Sequence, residues 1–169
     1  MAIKGRYIHP IILIFGLSIG FLSCSEESDC SMTARPSMVN NFYKYGASKN
    51  IILKDTLPVL TVRALETDSI LLNAAEKVSS FNAPLRYRQN QKEDVTAIIY
   101  EFSQNPANND TLWVTHTNTQ FFVSIDCGMQ LKQNITSIQK YTKNTIDQAT
   151  LTNSEANNHD RENIKIILR

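Results

Sequence analysis

The sequence predicts an all-β protein, an antiparallel β-sandwich of about seven to nine strands that follows an N-terminal signal and tether. Three observations support this prediction. Short segments alternate apolar with polar residues, turn-forming clusters recur about every 10 to 15 residues, and the chain beyond the tether has no long helical period.

The first predicted strands follow the tether. Residues 37–45, SMVNNFYKY, alternate weakly with Met38 and Phe42 in phase, although Tyr45 completes a spacing that also allows a helix. NIILKD and LPVLTVRAL come next, and Pro58 is placed at the start of its strand because proline has no backbone N–H to donate. Shorter pieces are predicted at SILLN, KVSSF and APLRYR.

The clearest strand is DVTAIIYEF, in which Ile98, Tyr100 and Phe102 share one face. TLWVTH follows after a polar loop, and Gly128 is predicted to mark a bulge or bend before MQLKQNITSI. Two further strands are predicted to close the domain, at TIDQATL and NIKIIL.

Spacing predicts a hairpin between TLWVTH and FFVSIDC, with its turn in HTNTQ. In the second of these strands Cys127 is in phase with Phe121, Val123 and Ile125. Because alternate side chains point to the same side of a strand, we predict that all four face the core.

The N-terminus is typical of a secretory signal. Lys4 and Arg6 precede a twelve-residue apolar run, Ile11 to Leu22, and a spanning helix needs roughly 20 apolar residues. The alternative is a buried N-terminal strand or helix.

The end of the run, Phe21-Leu22-Ser23-Cys24, resembles a bacterial lipobox, which implies cleavage before Cys24 and lipidation of its sulfur. Each buried acyl methylene contributes about 0.8 kcal/mol, so more than one chain gives a stable anchor. The SEESD that follows resembles the acidic tag that directs Bacteroidota lipoproteins to the cell surface; the alternative is a solvated tether in the periplasm.

These signals divide the chain into a signal peptide at 1–23, a tether at 24–34 and a β-sandwich domain at 35–169. Removal of Lys4 and Arg6 with the signal reduces the 17 basic residues to 15, against 16 acidic ones. A near-neutral mature chain argues against nucleic acid as a partner, which requires a basic surface.

Lipidation of Cys24 leaves two cysteines, Cys30 and Cys127. Export exposes them to oxidation, so we predict that they form a disulfide. The alternative is a buried Cys127 that acts as a small apolar residue while Cys30 stays free in the tether.

Catalytic and metal-binding motifs are not found. His116 is expected at a strand end and His159 in a loop, without the paired spacing that metal sites use. Ser124 and Ser137 have no evident base nearby in the sequence. We therefore predict a non-enzymatic protein without a metal or other cofactor.

A group of aromatic residues offers one binding hypothesis. Trp113, Tyr100 and Phe122 would form a platform for stacking sugars if they shared one surface. Packing within the core or against a sheet is the alternative role for the same residues.

Three triplets read Asp, Ser or Thr, then an aliphatic residue, and resemble the O-glycosylation motif of exported Bacteroidota proteins. Their acceptor residues are Thr56, Ser69 and Thr111. The alternative is turn chemistry, in which an aspartate organises the loop just before a strand.

Several stretches together resemble a family of short Bacteroidota lipoproteins classed only as a domain of unknown function. The resemblance covers most of the mature chain, about 30–168, and is carried by the lipobox cysteine and DTLPVLTV, APLRY, DTLWV, FFVSIDCG, NTIDQATL and ENIKIIL. Its most distinctive part is the Ser-x-x-Cys-Gly of Ser124 to Gly128. It implies an envelope location and a β fold, and no activity.

The expected function is therefore that of a lipid-anchored binding or assembly module at the outer membrane, on its surface rather than its periplasmic side. The expected partner is an outer-membrane protein such as a barrel. The alternative is a surface lipoprotein that binds glycans through Trp113 and nearby aromatic residues.

Overall fold

The computed structural model describes residues 35–156 and 161–169, which form two five-stranded sheets. Within these residues, the 3-10 turn Pro106–Asn108 lies between strands. The strands are β1 Ser37–Tyr45, β2 Ile52–Lys54, β3 Leu57–Ala64, β4 Ile70–Val78, β5 Ser80–Pro84, β6 Glu93–Glu101, β7 Asp110–Ser124, β8 Gly128–Tyr141, β9 Ile146–Leu151 and β10 Ile164–Leu168. The predicted all-β class is confirmed.

The first sheet has the order β2-β1-β10-β9. Its fifth strand, β5, lies along the same edge of β1 as β2 does: β5 pairs with residues 37–41 of β1 and β2 pairs with residues 43–45. Its central pair, β1 with β10, is parallel, with Phe42 opposite Ile166. The predicted antiparallel sandwich therefore includes one parallel pair. The two strands come from opposite ends of the domain's sequence, so no connecting turn and no local periodicity indicates whether they pair parallel or antiparallel.

The second sheet is antiparallel throughout, with the order β4-β3-β6-β7-β8. Its inner face is apolar where Ile98 of β6 lies opposite Leu112 of β7, and both side chains are fully buried. The predicted shared face of Ile98, Tyr100 and Phe102 is found here, with Phe102 only partly buried.

The core joins the two sheets through an aromatic cluster. Phe42 of β1 meets Tyr100 of β6 edge to face, with ring centroids 6.0 Å apart. Phe102 stacks on Tyr100 at 6.0 Å and meets Phe42 at 6.3 Å. Aromatic pairs in these geometries add about 0.5–1.5 kcal/mol to the effect of burial. The cluster therefore holds the sheets face to face, as a sandwich requires.

The predicted turn in HTNTQ is wrong. Residues 116–120 continue one fifteen-residue strand, β7, and the chain reverses only at residues 125–127 before β8. Threonine, which supplies much of this stretch, favours strands because its branched side chain packs well on a pleated sheet. Among the described residues, no helix is long and apolar enough to cross a membrane.

Candidate functional site

The β7–β8 hairpin extends past the rest of its sheet. The pairing of β6 with β7 reaches Thr117, which lies opposite Glu93, and the Asn118 N–H then donates to the Lys92 carbonyl at 2.8 Å. In the described part of the chain, residues 119–132 pair only with each other, and we call them the arm. At about 3.3 Å per residue, its six residues from Thr119 to Ser124 span roughly 20 Å.

The end of the arm is apolar and exposed. Phe121 is 37% exposed, Phe122 62%, Val123 43%, Ile125 93% and Met129 59%. We call these five residues the apolar tip. Of the eleven large apolar side chains exposed in the described residues, five lie in this nine-residue stretch. Exposed apolar clusters on soluble proteins mark surfaces that contact proteins or membranes.

The apolar tip presents side chains on both faces of the hairpin. Phe122 lies opposite Met129, whereas Phe121 lies opposite Gln130 on the other face. Ile125 stands at the apex, in the turn. Apolar side chains are therefore exposed on both faces of the hairpin and at its apex, rather than on one side.

The Ser-x-x-Cys-Gly sequence builds the turn of the arm. The Cys127 N–H donates to the Ser124 hydroxyl oxygen at 3.1 Å, which satisfies a donor that the turn would otherwise leave open. Gly128 has φ of +66°, a left-handed conformation that a residue with a Cβ rarely adopts. The most distinctive sequence motif is thus explained by local backbone geometry.

Cys127 lies in this turn and is half-buried, so its predicted place on an inward strand face is wrong. Phe121, Val123 and Ile125, expected beside it in the core, are exposed, since they lie in the part of the hairpin that, among the described residues, pairs only with itself. Cys24 and Cys30 lie outside the described residues, so lipidation of Cys24 and the pairing of Cys30 with Cys127 stay predictions.

The three Asp-Ser/Thr triplets all lie where a strand begins. Thr56 and Ser69 are exposed and immediately precede β3 and β4. Thr111 is the second residue of β7 and is half-buried, and its N–H donates to the Thr142 hydroxyl oxygen at 2.8 Å. Two acceptor residues are therefore exposed to a modifying enzyme, while the third is a half-buried residue within a strand.

Asp110 shows the turn chemistry most fully. It is completely buried, and its carboxyl oxygens accept hydrogen bonds from the backbone N–H groups of Asn144, Thr145 and Ile146, at 2.8, 2.7 and 2.7 Å. The Thr142 hydroxyl donates a fourth bond at 2.6 Å. One side chain thereby organises the β8–β9 connection.

Polar residues replace apolar ones on the inner face of the second sheet, close to the arm. Asp94, His116, Asn118 and Gln133 are buried, and the Gln133 side-chain amide donates to the Asn118 oxygen at 2.7 Å. His116 was expected at a strand end, but lies fully buried within β7. His159 lies outside the described residues.

His116 is bonded through one ring nitrogen, its Nε2, which is 2.8 Å from the Thr96 hydroxyl oxygen. Burial lowers the pKa of His116, and the charge of Arg35 lowers it further, against the opposing effect of Asp94. The ring is therefore held neutral at neutral pH. Its Nδ1 has no hydrogen-bond partner among the described residues.

A pocket of about 290 Å³ opens beside this polar face. Arg35, Glu66, Arg86 and Tyr87 line it together with an apolar floor that includes Leu85. Glu66 forms ion pairs with Arg86 and with a neighbouring arginine, Arg88, the latter at 3.4 Å. The volume of the pocket is near the lower limit for a small-ligand site.

The aromatic residues of the glycan hypothesis do not form a platform. Tyr100 is fully buried in the core, and Phe122 belongs to the apolar tip. Trp113 is half-buried on the outer face, where the Lys140 Nζ lies 4.4 Å from its ring centroid. The expected grouping is wrong because Trp113 and Leu112 alternate across the sheet, so Trp113 cannot share the inner face with Tyr100.

Comparison with known protein families finds a match. The sequence profile of a family of unknown function, DUF6452, matches residues 59–168. The chain belongs to this family. The matched range runs from β3 to the last residue of β10 and so includes the arm, the polar face and the Asp110 network. No curated protein and no solved structure shows significant similarity to the chain.

The DUF6452 match agrees with the expectation of a family of unknown function. The exposure of the apolar residues in the arm, in contrast, was not predicted. The apolar alternation at residues 121–125 predicts a strand face in the core, whereas the structure exposes it. Gly128, predicted to mark a bulge or bend, does follow the turn of the arm, and Ser124 is the further turn-forming residue that could have moved the predicted hairpin to this position.

Proposed function

We propose that the protein is a lipid-anchored lipoprotein of the Bacteroidota outer membrane, facing the cell surface, that acts as a non-catalytic binding module. The observation that carries this proposal is the apolar tip. A sandwich with an adequate core gains nothing in stability from five exposed apolar side chains on one hairpin, whereas a contact surface needs them. The arm is its contact surface.

The anchor is supported by the sequence that precedes the sandwich. The lipobox at Phe21 to Cys24 supplies the modified sulfur, and the ten residues from Ser25 to Ala34 connect it to the first described residue, Arg35. A tether of this length would allow the domain to stay close to the membrane.

Replacement of Cys24 with alanine is expected to release the protein from membranes into the soluble fraction, because the sulfur that receives the acyl chains is lost. Fractionation with detergent extraction measures the change, and mass spectrometry of the N-terminal peptide reports the lipid directly. Ser28→Ala, in the same tether, is the matched control and should remain in the membrane. If the Cys24→Ala protein still needs detergent for extraction and the wild-type N-terminal peptide carries no lipid, the apolar run is an uncleaved anchor and the lipobox proposal is wrong.

Glycans are proposed as a second modification, on the exposed acceptors. Mass spectrometry of the protein from its native host is expected to find hexose-bearing peptides at Thr56 and Ser69 and an unmodified peptide at Thr111. The reason is access, since a glycan requires an exposed loop and Thr111 is half-buried in a strand. Unmodified peptides at all three sites, from a host that glycosylates other exported proteins, would leave turn formation as the role of the triplets.

A further inference from the structure

We infer that the apolar tip inserts into the lipid bilayer that holds the anchor, at the boundary between headgroups and acyl chains. This inference rests on the proposed function, and it names the partner of the arm. The membrane would then hold the domain at two points, through the acyl chains and through the arm.

The distribution of apolar residues favours a bilayer over a protein groove. A groove on a protein covers one face of a hairpin and leaves the other in water, but Phe121 and Phe122 lie on opposite faces of the arm. Ile125 at the apex is 93% exposed. Acyl chains surround an inserted element on all sides, so they would cover both faces and the apex together.

The polarity of the arm changes along its length as insertion requires. Thr119 and Gln120, nearer the sandwich, are polar and exposed, and the apolar residues begin at Phe121. Asp126 stands exposed beside Ile125 at the apex. Because burying a carboxylate in hydrocarbon is costly, insertion is limited to a depth of about 5–10 Å, as for interfacial amphipathic segments.

The predicted disulfide places the tip close to the anchor. If Cys127 pairs with Cys30, only five residues lie between the lipidated Cys24 and the cysteine that would be bonded to the turn of the arm. A chain of that length extends at most about 20 Å. The apolar tip would therefore be kept within reach of the membrane surface whenever the anchor is in place.

Tryptophan fluorescence tests this inference. In a Trp113→Phe background, which removes the single natural tryptophan, a reporter is introduced as Ile125→Trp. The matched control is Val59→Trp. Val59 lies on β3, is 40% exposed, and is on the order of 50 Å from the tip, measured along the strands of the same sheet. Circular dichroism confirms that both variants fold.

Both variants are reconstituted, with the lipid anchor, into phosphatidylcholine vesicles whose acyl chains carry bromine, a tryptophan quencher. The Ile125→Trp emission is expected to shift to the blue and to lose at least about half of its intensity, since brominated chains quench indoles inserted to the acyl boundary. The Val59→Trp emission is expected to stay unchanged. Cys24→Ala versions of both proteins are titrated with the same vesicles, and only Ile125→Trp should again be quenched, at higher lipid concentration.

The outcomes separate the two proposals. Quenching of Ile125→Trp without the anchor supports insertion even if the full chain proves not to be lipidated. Full-length protein that floats with the vesicles while Ile125→Trp stays unquenched overturns insertion and leaves the anchor intact. A blue-shifted emission that depends on protein concentration and needs no vesicles also overturns it, because a second copy would then cover the tip. So would a photo-crosslinker at Phe122 that captures an outer-membrane protein instead of lipid.

Discussion

Replacing Asp110 with alanine is expected to lower the free energy of unfolding by about 3–5 kcal/mol. The carboxyl group accepts four hydrogen bonds from residues 142–146, and three of these come from backbone N–H groups. Asp110 is fully buried and water cannot readily replace it. Each donor left without a partner in such a site costs about 1–3 kcal/mol, although partial relaxation of the connection reduces the sum.

Chemical denaturation followed by circular dichroism measures the effect, and two variants serve as controls. Asp110→Asn keeps one acceptor oxygen and should fall between the wild type and Asp110→Ala. Thr111→Val keeps the network and should change stability by less than about 1 kcal/mol. If Asp110→Ala lowers the free energy of unfolding by less than about 1 kcal/mol, the four hydrogen bonds contribute little to stability and do not explain why aspartate stands in the Asp-Thr-Leu triplet.

The strands were predictable because their signals are local. In β6 the alternation that ends in Ile98 and Tyr100 reads directly as an inward face, and both side chains are fully buried. The parallel pairing of β1 with β10 could not be predicted in this way. It depends on contacts between residues more than 120 positions apart, such as Phe42 and Ile166, for which neither strand carries a separate signal.

The arm was mispredicted because alternation reports a face without reporting what lies opposite. The spacing of Phe121, Val123 and Ile125 is that of a buried strand, yet these residues extend past the pairing of β6 with β7. The polar inner face was missed for the converse reason. His116 and Asn118 follow Leu112 and Val114 in phase, so only the structure shows that their polar side chains are buried as well.

Loss of the predicted disulfide between Cys30 and Cys127 is expected to lower the free energy of unfolding by about 2–4 kcal/mol. The bridge would close a loop of 98 residues, counted from Cys30 to Cys127 inclusive. In the chain-entropy model a loop of about 100 residues contributes roughly 4.7 kcal/mol, and measured values are commonly lower. We expect a reduced value here because Cys127 lies in the turn of the arm, so the bridge restrains the end of the hairpin rather than a strand in the core.

Single and double variants identify the bonded pair. Cys30→Ser and Cys127→Ser should destabilise the protein equally, and the double variant should add nothing further, because either change removes the same bond. Cys24→Ser, which removes the remaining cysteine, should leave the denaturation midpoint of the solubilised protein unchanged.

Thiol labelling of the denatured protein decides between the pairings. The lipidated wild type should show no reactive thiol before reduction and two afterwards, since the sulfur of Cys24 is occupied by lipid. A new free thiol in Cys24→Ser would identify Cys24 as the partner of Cys127, and it would contradict both the lipid anchor and the Cys30 bridge. Two reactive thiols in the unreduced wild type would remove the bridge altogether. The apolar tip would then have no covalent link to the tether, and its approach to the membrane would depend on the affinity of Phe122, Ile125 and Met129 alone.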